Sequence, residues 1–501
     1  MDILYGFSTL FSDPLAVLFV ILASFAGVIV GATPGLTSAA AIAMLVPVTF
    51  YMEPLHALAG LYVIGKAGRF GGSISAILFN TPGTAAAAAT TVDGNAMSRK
   101  GMPGKALKTA AVASACGDLI GDMLLIFGAV WIAMLTRNFG PPEYFAVYFA
   151  AFLVISSVVG ASIVKGLIST AAGIVAAMIG IDPMEGMPRL DFGILDFQSG
   201  LALVPLLIGV FVFSEILFQI ERTIRERGTA KVISDLVPGG DRLAWPEFRQ
   251  IMPVILRSSI LGSAIGILPG LGSSVAAFAA YGEERRRAKN KDEWGTGVIA
   301  GIAAPESANN AVSGPSMIPL LALGVPGSTI AAILLGVFLI HGITVGPRIF
   351  DTSRDLVFGL FAAGLVGIGV YFVIGFFGGA AIGRIIARAP SRLIYPYIFL
   401  TCFISAYAAR TNVFDVFVMC VAGLFGYLMR KQGYSMAAFI IAFVLAQGAE
   451  RAFRQSLILT NDGWLIFFQR PVAVAFFALA ILVLSGQLVQ RYRIRAQGDP
   501  S

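Results

Sequence analysis

Apolar runs alternate along this chain with short polar loops, and several runs reach the roughly 20 residues needed to cross a bilayer. They are Leu15–Val30, lengthened by its flanks, Ala110–Leu135, Tyr144–Val164, Leu356–Ile382 and Val472–Leu488. The pattern predicts an all-α polytopic membrane protein of about 12 spans. Two kinds of interruption break it, and each occurs twice. Gly31-Ala32-Thr33-Pro34-Gly35-Leu36-Thr37-Ser38 has a counterpart in Gly266-Ile267-Leu268-Pro269-Gly270-Leu271-Gly272-Ser273, with Ser274 following. Downstream of each comes a second break, Asn80-Thr81-Pro82-Gly83-Thr84 in the first half and Gly324-Val325-Pro326-Gly327-Ser328 in the second. Proline removes an amide donor and glycine loosens the backbone, so each pair ends a helix. Broken helices are tolerated inside a membrane only where they are buried in protein or line a cavity. Paired breaks in two halves point to a transporter's binding site between the repeats.

Composition agrees: 57% of residues are hydrophobic and 13% charged, against about 25% charged in soluble domains. A net charge of +7 would suggest nucleic acid in a soluble protein; here it reads as basic cytoplasmic loops, with no nucleic-acid partner expected. Met1–Asp13 carries no basic stretch before its first apolar run, so the first span is expected to be retained. Cys116, Cys402 and Cys420 lie in apolar runs without metal-ligand spacing, as buried small hydrophobes do. Basic residues cluster at Arg99–Lys108, Arg222–Arg249, Arg285–Lys291, Arg384–Arg392, Arg430–Lys431 and Arg491–Arg495. In the second half the first break is followed by a basic loop, whereas in the first half it is the second break. That exchange predicts two repeats inserted in opposite orientations. The division expected is 1–220, a cytoplasmic linker at 221–250 containing Pro238-Gly239-Gly240 and an interfacial Trp245, and 251–501.

The densest polar run is Ala304-Pro305-Glu306-Ser307-Ala308-Asn309-Asn310, followed by Ser313. A carboxylate and two carboxamides are costly in lipid without a use, although Asn and Ser also cap broken helix ends. The first half offers Ser73, Ser75, Asn80 and Thr81 instead, with no carboxylate. Lys66 and Arg69 could attract an anion or snorkel to an interface. Asp118 and Asp122, four apart on one helix face, suit proton or sodium coupling and equally suit a structural pair. Lys165 and Asp415 read as isolated charges, and His56 and His341 as residues without a metal-ligand set.

These residues, with Tyr62–Asn80, Asp93-Gly94, Ala280-Tyr281-Gly282-Glu283, Trp294 before Gly295-Thr296-Gly297, and Ala303–Ala311, resemble the large membrane subunit of the tripartite tricarboxylate transporters. The likeness covers nearly the whole chain, through Arg451–Leu459 and Phe467–Pro471. One departure is Ala300, where the family pattern carries an acidic residue. The resemblance implies a multi-pass protein of the bacterial inner membrane, working with a small four-span membrane subunit and a periplasmic solute-binding protein. It implies import of a carboxylate on an ion gradient, Na+ or H+, without a cofactor and without catalysis.

Substrate contacts are expected from Pro34, Gly35, Thr37, Ser38, Asn80, Thr81, Pro269, Gly270, Ser273, Ser274, Asn309 and Asn310, since helix N-termini attract anions. Ion coupling is expected from Glu306, Asn80, Asn310, Pro326 and Gly327. A channel would share the broken helices and is the alternative; a membrane enzyme would need a nucleophile, base or metal set.

Overall fold

The computed structural model describes residues 2–158, 162–225, 243–388, 391–459 and 463–496. Most of the predicted linker, including Pro238-Gly239-Gly240, lies outside them. The described residues are overwhelmingly helical; their two-stranded sheet pairs Gly180–Ile181 with Pro188–Arg189. Seven described helices are long and apolar enough to span a bilayer, and a bent pair at Gly463–Gln469 and Pro471–Gln487 makes up to eight. The difference from about 12 has a physical source: many embedded helices are cut short by the predicted breaks or carry polar residues.

Eleven helices build the centre. In the first half these are α1 (Pro14–Ala32), α2 (Ser38–Thr49), α3 (Pro54–Phe79), α4 (Ala87–Arg99) and α5 (Pro103–Thr136). In the second they are α6 (Trp245–Ile267), α7 (Gly272–Arg287), α8 (Ile299–Ala311), α9 (Ile318–Leu323), α10 (Thr329–Ile340) and α11 (Arg354–Arg388). The duplicated breaks have nearly the same backbone. A following proline pushes its predecessor out of the helical region, and Thr33 and Leu268 both turn extended, at φ −82° with ψ 116° and 117°. Gly35 and Gly270 then take φ +84° and +88°, which favours glycine. At the second breaks Asn80 (φ 56°) and Gly324 (φ 73°) are both left-handed C-caps.

Contacts between helices set their directions. Asp13, capping α1, meets His56 near the start of α3, and Gly31 near the end of α1 packs on Gly68. So α1 and α3 run parallel. A Cβ on Gly31 would sit 2.1 Å from the Gly68 carbonyl oxygen, so the close approach requires glycine, as small residues allow in membrane bundles. The same arrangement recurs where Gly262 meets Ala308 and Gly266 meets Val312, making α6 and α8 parallel. Helix α5 runs antiparallel to α3, because Lys66 meets Asp118 while Tyr62 meets Asp122. Yet α5 is parallel to α8, with Ser114 at Glu306, Gly117 at Ser307 and Gly121 at Ala311. The equivalent helices α3 and α8 therefore point in opposite directions.

The halves also exchange elements. Helix α5 packs on α6 and α8, and α11 packs on α1 and α3; likewise α2 lies against α10 and α7 against α4. Since α11 runs parallel to α3, with Leu55 at Gly359 and Leu78 at Gly383, Arg384 lies at the same end as the α4–α5 turn. The start of α6 joins that end through Lys105–Glu247, and a two-pronged Arg257–Glu284 pair at 2.7–2.8 Å ties the end of α7 to α6. The basic clusters of α4–α5, α7 and α11 thus share one end of the bundle.

Candidate functional site

Helices α3, α4, α5, α8 and α11 converge on a buried polar chain. Lys66 on α3 is fully buried, and its Nζ donates to Asp118 Oδ1 and Asp122 Oδ1, both at 2.7 Å. Tyr62 OH donates to Asp122 Oδ1 at 3.1 Å, and Tyr371 OH on α11 donates to Asp118 Oδ2 at 3.1 Å. Lys66 therefore neither snorkels nor stands free: the two aspartates four residues apart hold it from the neighbouring helix. A buried charge survives only when paired and hydrogen-bonded, and breaking such a pair costs about 3–5 kcal/mol. Arg69, also buried, donates instead to the main-chain carbonyl of Asn309 at 3.2 Å.

The chain continues into the second half. Glu306 is fully buried; its Oε1 accepts from Thr90 on α4 at 2.5 Å and its Oε2 from Ser114 on α5 at 2.9 Å. Ser114 is shared, since its carbonyl also accepts from Tyr371 OH at 3.3 Å. An unbroken path thus runs Thr90, Glu306, Ser114, Tyr371, Asp118, Lys66, Asp122, Tyr62. Beside it, Asn310 Nδ2 donates back to the Glu306 carbonyl at 3.0 Å. Both side-chain polar atoms of Asn309, and Asn310 Oδ1, are buried without a hydrogen-bond partner among the described residues. Such groups are rare in folded interiors and call for an explanation; chemically they offer one donor group and two acceptors.

The remaining expected residues fall into separate groups. Gly270 N donates to Gly327 O at 3.2 Å, which brings Pro269-Gly270 against Pro326-Gly327. Pro326 follows Glu306 by twenty residues, past the ends of α8 and α9, so these breaks do not surround it. Ser273 and Ser274 are half-buried in the first turn of α7, which has no side-chain cap. Thr37 caps α2 by accepting from Ala40 N at 3.2 Å, the structural role that Ser and Thr often take at such ends. Ser38 Oγ, against Gly68, and Thr81 Oγ1 are further buried atoms without partners among the described residues. Pro34-Gly35 packs instead on Gln219 and Tyr395. Asn80 is exposed, and its left-handed backbone explains the residue type.

Several neighbours of the site escape a sequence reading. Ser114 precedes Asp118 and Asp122 at the same four-residue spacing, a signal that one face of α5 is polar throughout. Tyr62, Thr90 and Tyr371 carry no local pattern. Asp93 is a structural clamp: its Oδ1 accepts from the amides of Gly295, Gly297 and Val298 at 2.8–2.9 Å, and its Oδ2 from Tyr281 OH at 2.8 Å. That single carboxylate accounts for the Asp93-Gly94, Tyr281 and Gly295-Thr296-Gly297 motifs together. Asp415 is not isolated but paired with Arg410 at 2.5 Å, and Lys165 donates to the Gln432 carbonyl at 2.5 Å. His56 does have acidic company: its ligand atom and those of Asp13 and Glu53 lie within 4.8 Å of one another. Asp13 is already engaged there, accepting from the amides of Leu15 and Ala16.

A polytopic helical bundle with the same interruption built twice, and a buried polar chain crossing between the halves, has the construction of a membrane transport protein. The chain belongs to the tripartite tricarboxylate transporter TctA family, which it matches over residues 17–441. It is similar to an uncharacterized 52.8 kDa protein in the TAR-I ttuC' 3'region of Agrobacterium vitis, 34% identical over 479 residues, or 95% of this chain and 93% of that protein. An uncharacterized protein in the TAR-II ttuC' 3'region of the same bacterium is 34% identical over 223 residues, 44% of this chain and 91% of its own length. No solved structure matches the chain.

Proposed function

We propose that this chain is the large membrane subunit of a binding-protein-dependent secondary transporter of the bacterial inner membrane, importing a di- or tricarboxylate on a Na+ or H+ gradient. Its partners are a small four-span membrane subunit and a periplasmic solute-binding protein. The halves 1–220 and 251–501 act as inverted repeats joined by the 221–250 linker; the opposed directions of α3 and α8 support this. The basic end of the bundle then faces the cytoplasm. Asn309, Asn310 and Ser38 supply hydrogen bonds to substrate. Glu306, with the hydroxyl oxygens of Thr90 and Ser114, forms a set of hard oxygen ligands suited to a small cation, or a carboxyl group suited to a proton.

The observation that carries this reading is the continuous buried chain from Thr90 to Tyr62, which spans both halves and lies beside the carboxamide of Asn309, unpartnered among the described residues. The test is uptake of labelled citrate and succinate into proteoliposomes holding both membrane subunits. Accumulation should require the binding protein and an imposed ion gradient. Flux that ignores both would support the channel instead.

A further inference from the structure

At the end of the bundle opposite the basic loops lies a cavity of about 510 Å³, within the range of small-molecule sites. Its position follows from α5, which starts at the basic end. Thr136, the last residue of α5, donates to the Ala322 carbonyl at 3.2 Å, and the adjacent Leu323 lines the cavity. Arg137, Arg348 and Arg451 contribute to the wall, and among the described residues no carboxylate does. Arg137 is satisfied by Asp351 at 2.6 and 2.8 Å. Arg348 and Arg451 are exposed and have no ion pair among the described residues. Each stands within electrostatic reach of a tyrosine that also lines the cavity, Arg348 of Tyr144 and Arg451 of Tyr148.

This is a donor-rich, acceptor-poor chamber with two uncompensated guanidinium groups. Guanidinium offers a planar fork that matches a carboxylate, and two forks suit a molecule carrying at least two carboxylates. The chamber also abuts the second interruption. The left-handed Gly324 lies against the Val345 carbonyl and near Tyr148 OH, and three residues on Gly327 accepts from Gly270. We propose that the cavity is an outer receiving site where Arg348 and Arg451 hold a di- or tricarboxylate before it reaches the broken helices; this rests on the carboxylate-import reading above.

Two experiments test it. In the proteoliposomes, Arg348→Gln and Arg451→Gln should each raise half-saturating citrate about tenfold, as loss of one charge-assisted pair implies, with the maximal rate unchanged. In nanodiscs holding the full chain alone, a cysteine at Thr344 should be protected from a thiol reagent by millimolar citrate, and the double arginine variant should lose that protection. An unchanged half-saturation in the double variant, while wild-type uptake is normal, overturns the receiving site and leaves the transport reading standing. Absence of wild-type uptake removes the transport reading, and the nanodisc protection then decides the site by itself. Normal citrate protection with a raised requirement for binding protein makes the arginines a protein-docking patch and also overturns the proposal.

Discussion

Helices α3 and α8 occupy equivalent places in the two halves and carry opposite chemistry. Counted back from Gly83, the residues twenty-one and seventeen places earlier are Tyr62 and Lys66; counted back from Gly327, they are Glu306 and Asn310. A phenol and an ammonium thus stand where the other half has a carboxylate and a carboxamide. The framework is shared down to the φ and ψ of the residues before proline, while the polar contents differ. Lys66 is ion-paired within the first half by Asp118 and Asp122, whose Oδ2 has no hydrogen-bond partner among the described residues. Among the described residues the Glu306 carboxylate has hydroxyl partners, Thr90, Ser114 and Ser73, all from the first half, and the neighbouring Asn309 keeps its side chain unengaged. The first site pairs its cation with two carboxylates, while the second keeps both polar atoms of Asn309 unpartnered among the described residues, so we propose structure for the first and coupling for the second.

The most decisive way to break the comparison is to test the opposed directions. Glu53 and Arg286 are exposed and lie at opposite ends of the bundle. Cysteines placed there should be labelled from opposite sides of the membrane, Glu53→Cys from outside and Arg286→Cys from the cytoplasm. Labelling of both from one side would remove the inverted relation.

A smaller but still large effect is expected on stability. Lys66→Met leaves two buried carboxylates facing each other and should cost about 3–5 kcal/mol, read as a lowered unfolding temperature in detergent. Adding Asp118→Asn and Asp122→Asn should recover most of it. At the equivalent second-half position Asn310→Ala should cost only about 1 kcal/mol, the loss of one hydrogen bond. Equal losses at the two positions would erase the distinction between an ion-paired site and an uncharged one.

The shared framework should respond alike in both halves. Gly31→Ala and Gly262→Ala each drive a Cβ within 2.1–2.4 Å of a carbonyl oxygen on the parallel helix. Each should cost about 1–3 kcal/mol as overpacking does. Tolerance at one site and not the other would show that the two packings are not equivalent.

Much of the architecture was legible because its signals are local. A proline dictates the backbone of the residue before it, so the breaks and their duplication could be read directly, and the exchange of basic loops led to the expectation of opposed halves. The buried chain was only partly legible. Glu306, Asn309 and Asn310 stand out as costly polar residues in an apolar run, whereas Thr90, Ser114 and Tyr371 matter only because three separate helices bring them to one place. Lys66 was misjudged for the same reason: its partners lie about fifty residues away on another helix. Asn80 shows the reverse case, a polar residue whose type is accounted for by its left-handed backbone.

The assignment of coupling to Glu306 is tested most directly by Glu306→Gln, which preserves size while removing the charge and replacing one acceptor oxygen by a donor NH2. Initial rates of labelled citrate and succinate uptake should be measured over a range of Na+ and H+ gradients, alongside the unfolding temperature. The account predicts loss of ion-dependent uptake with insertion and stability retained. Normal transport with unchanged ion dependence would contradict it and move coupling to Asp118 and Asp122.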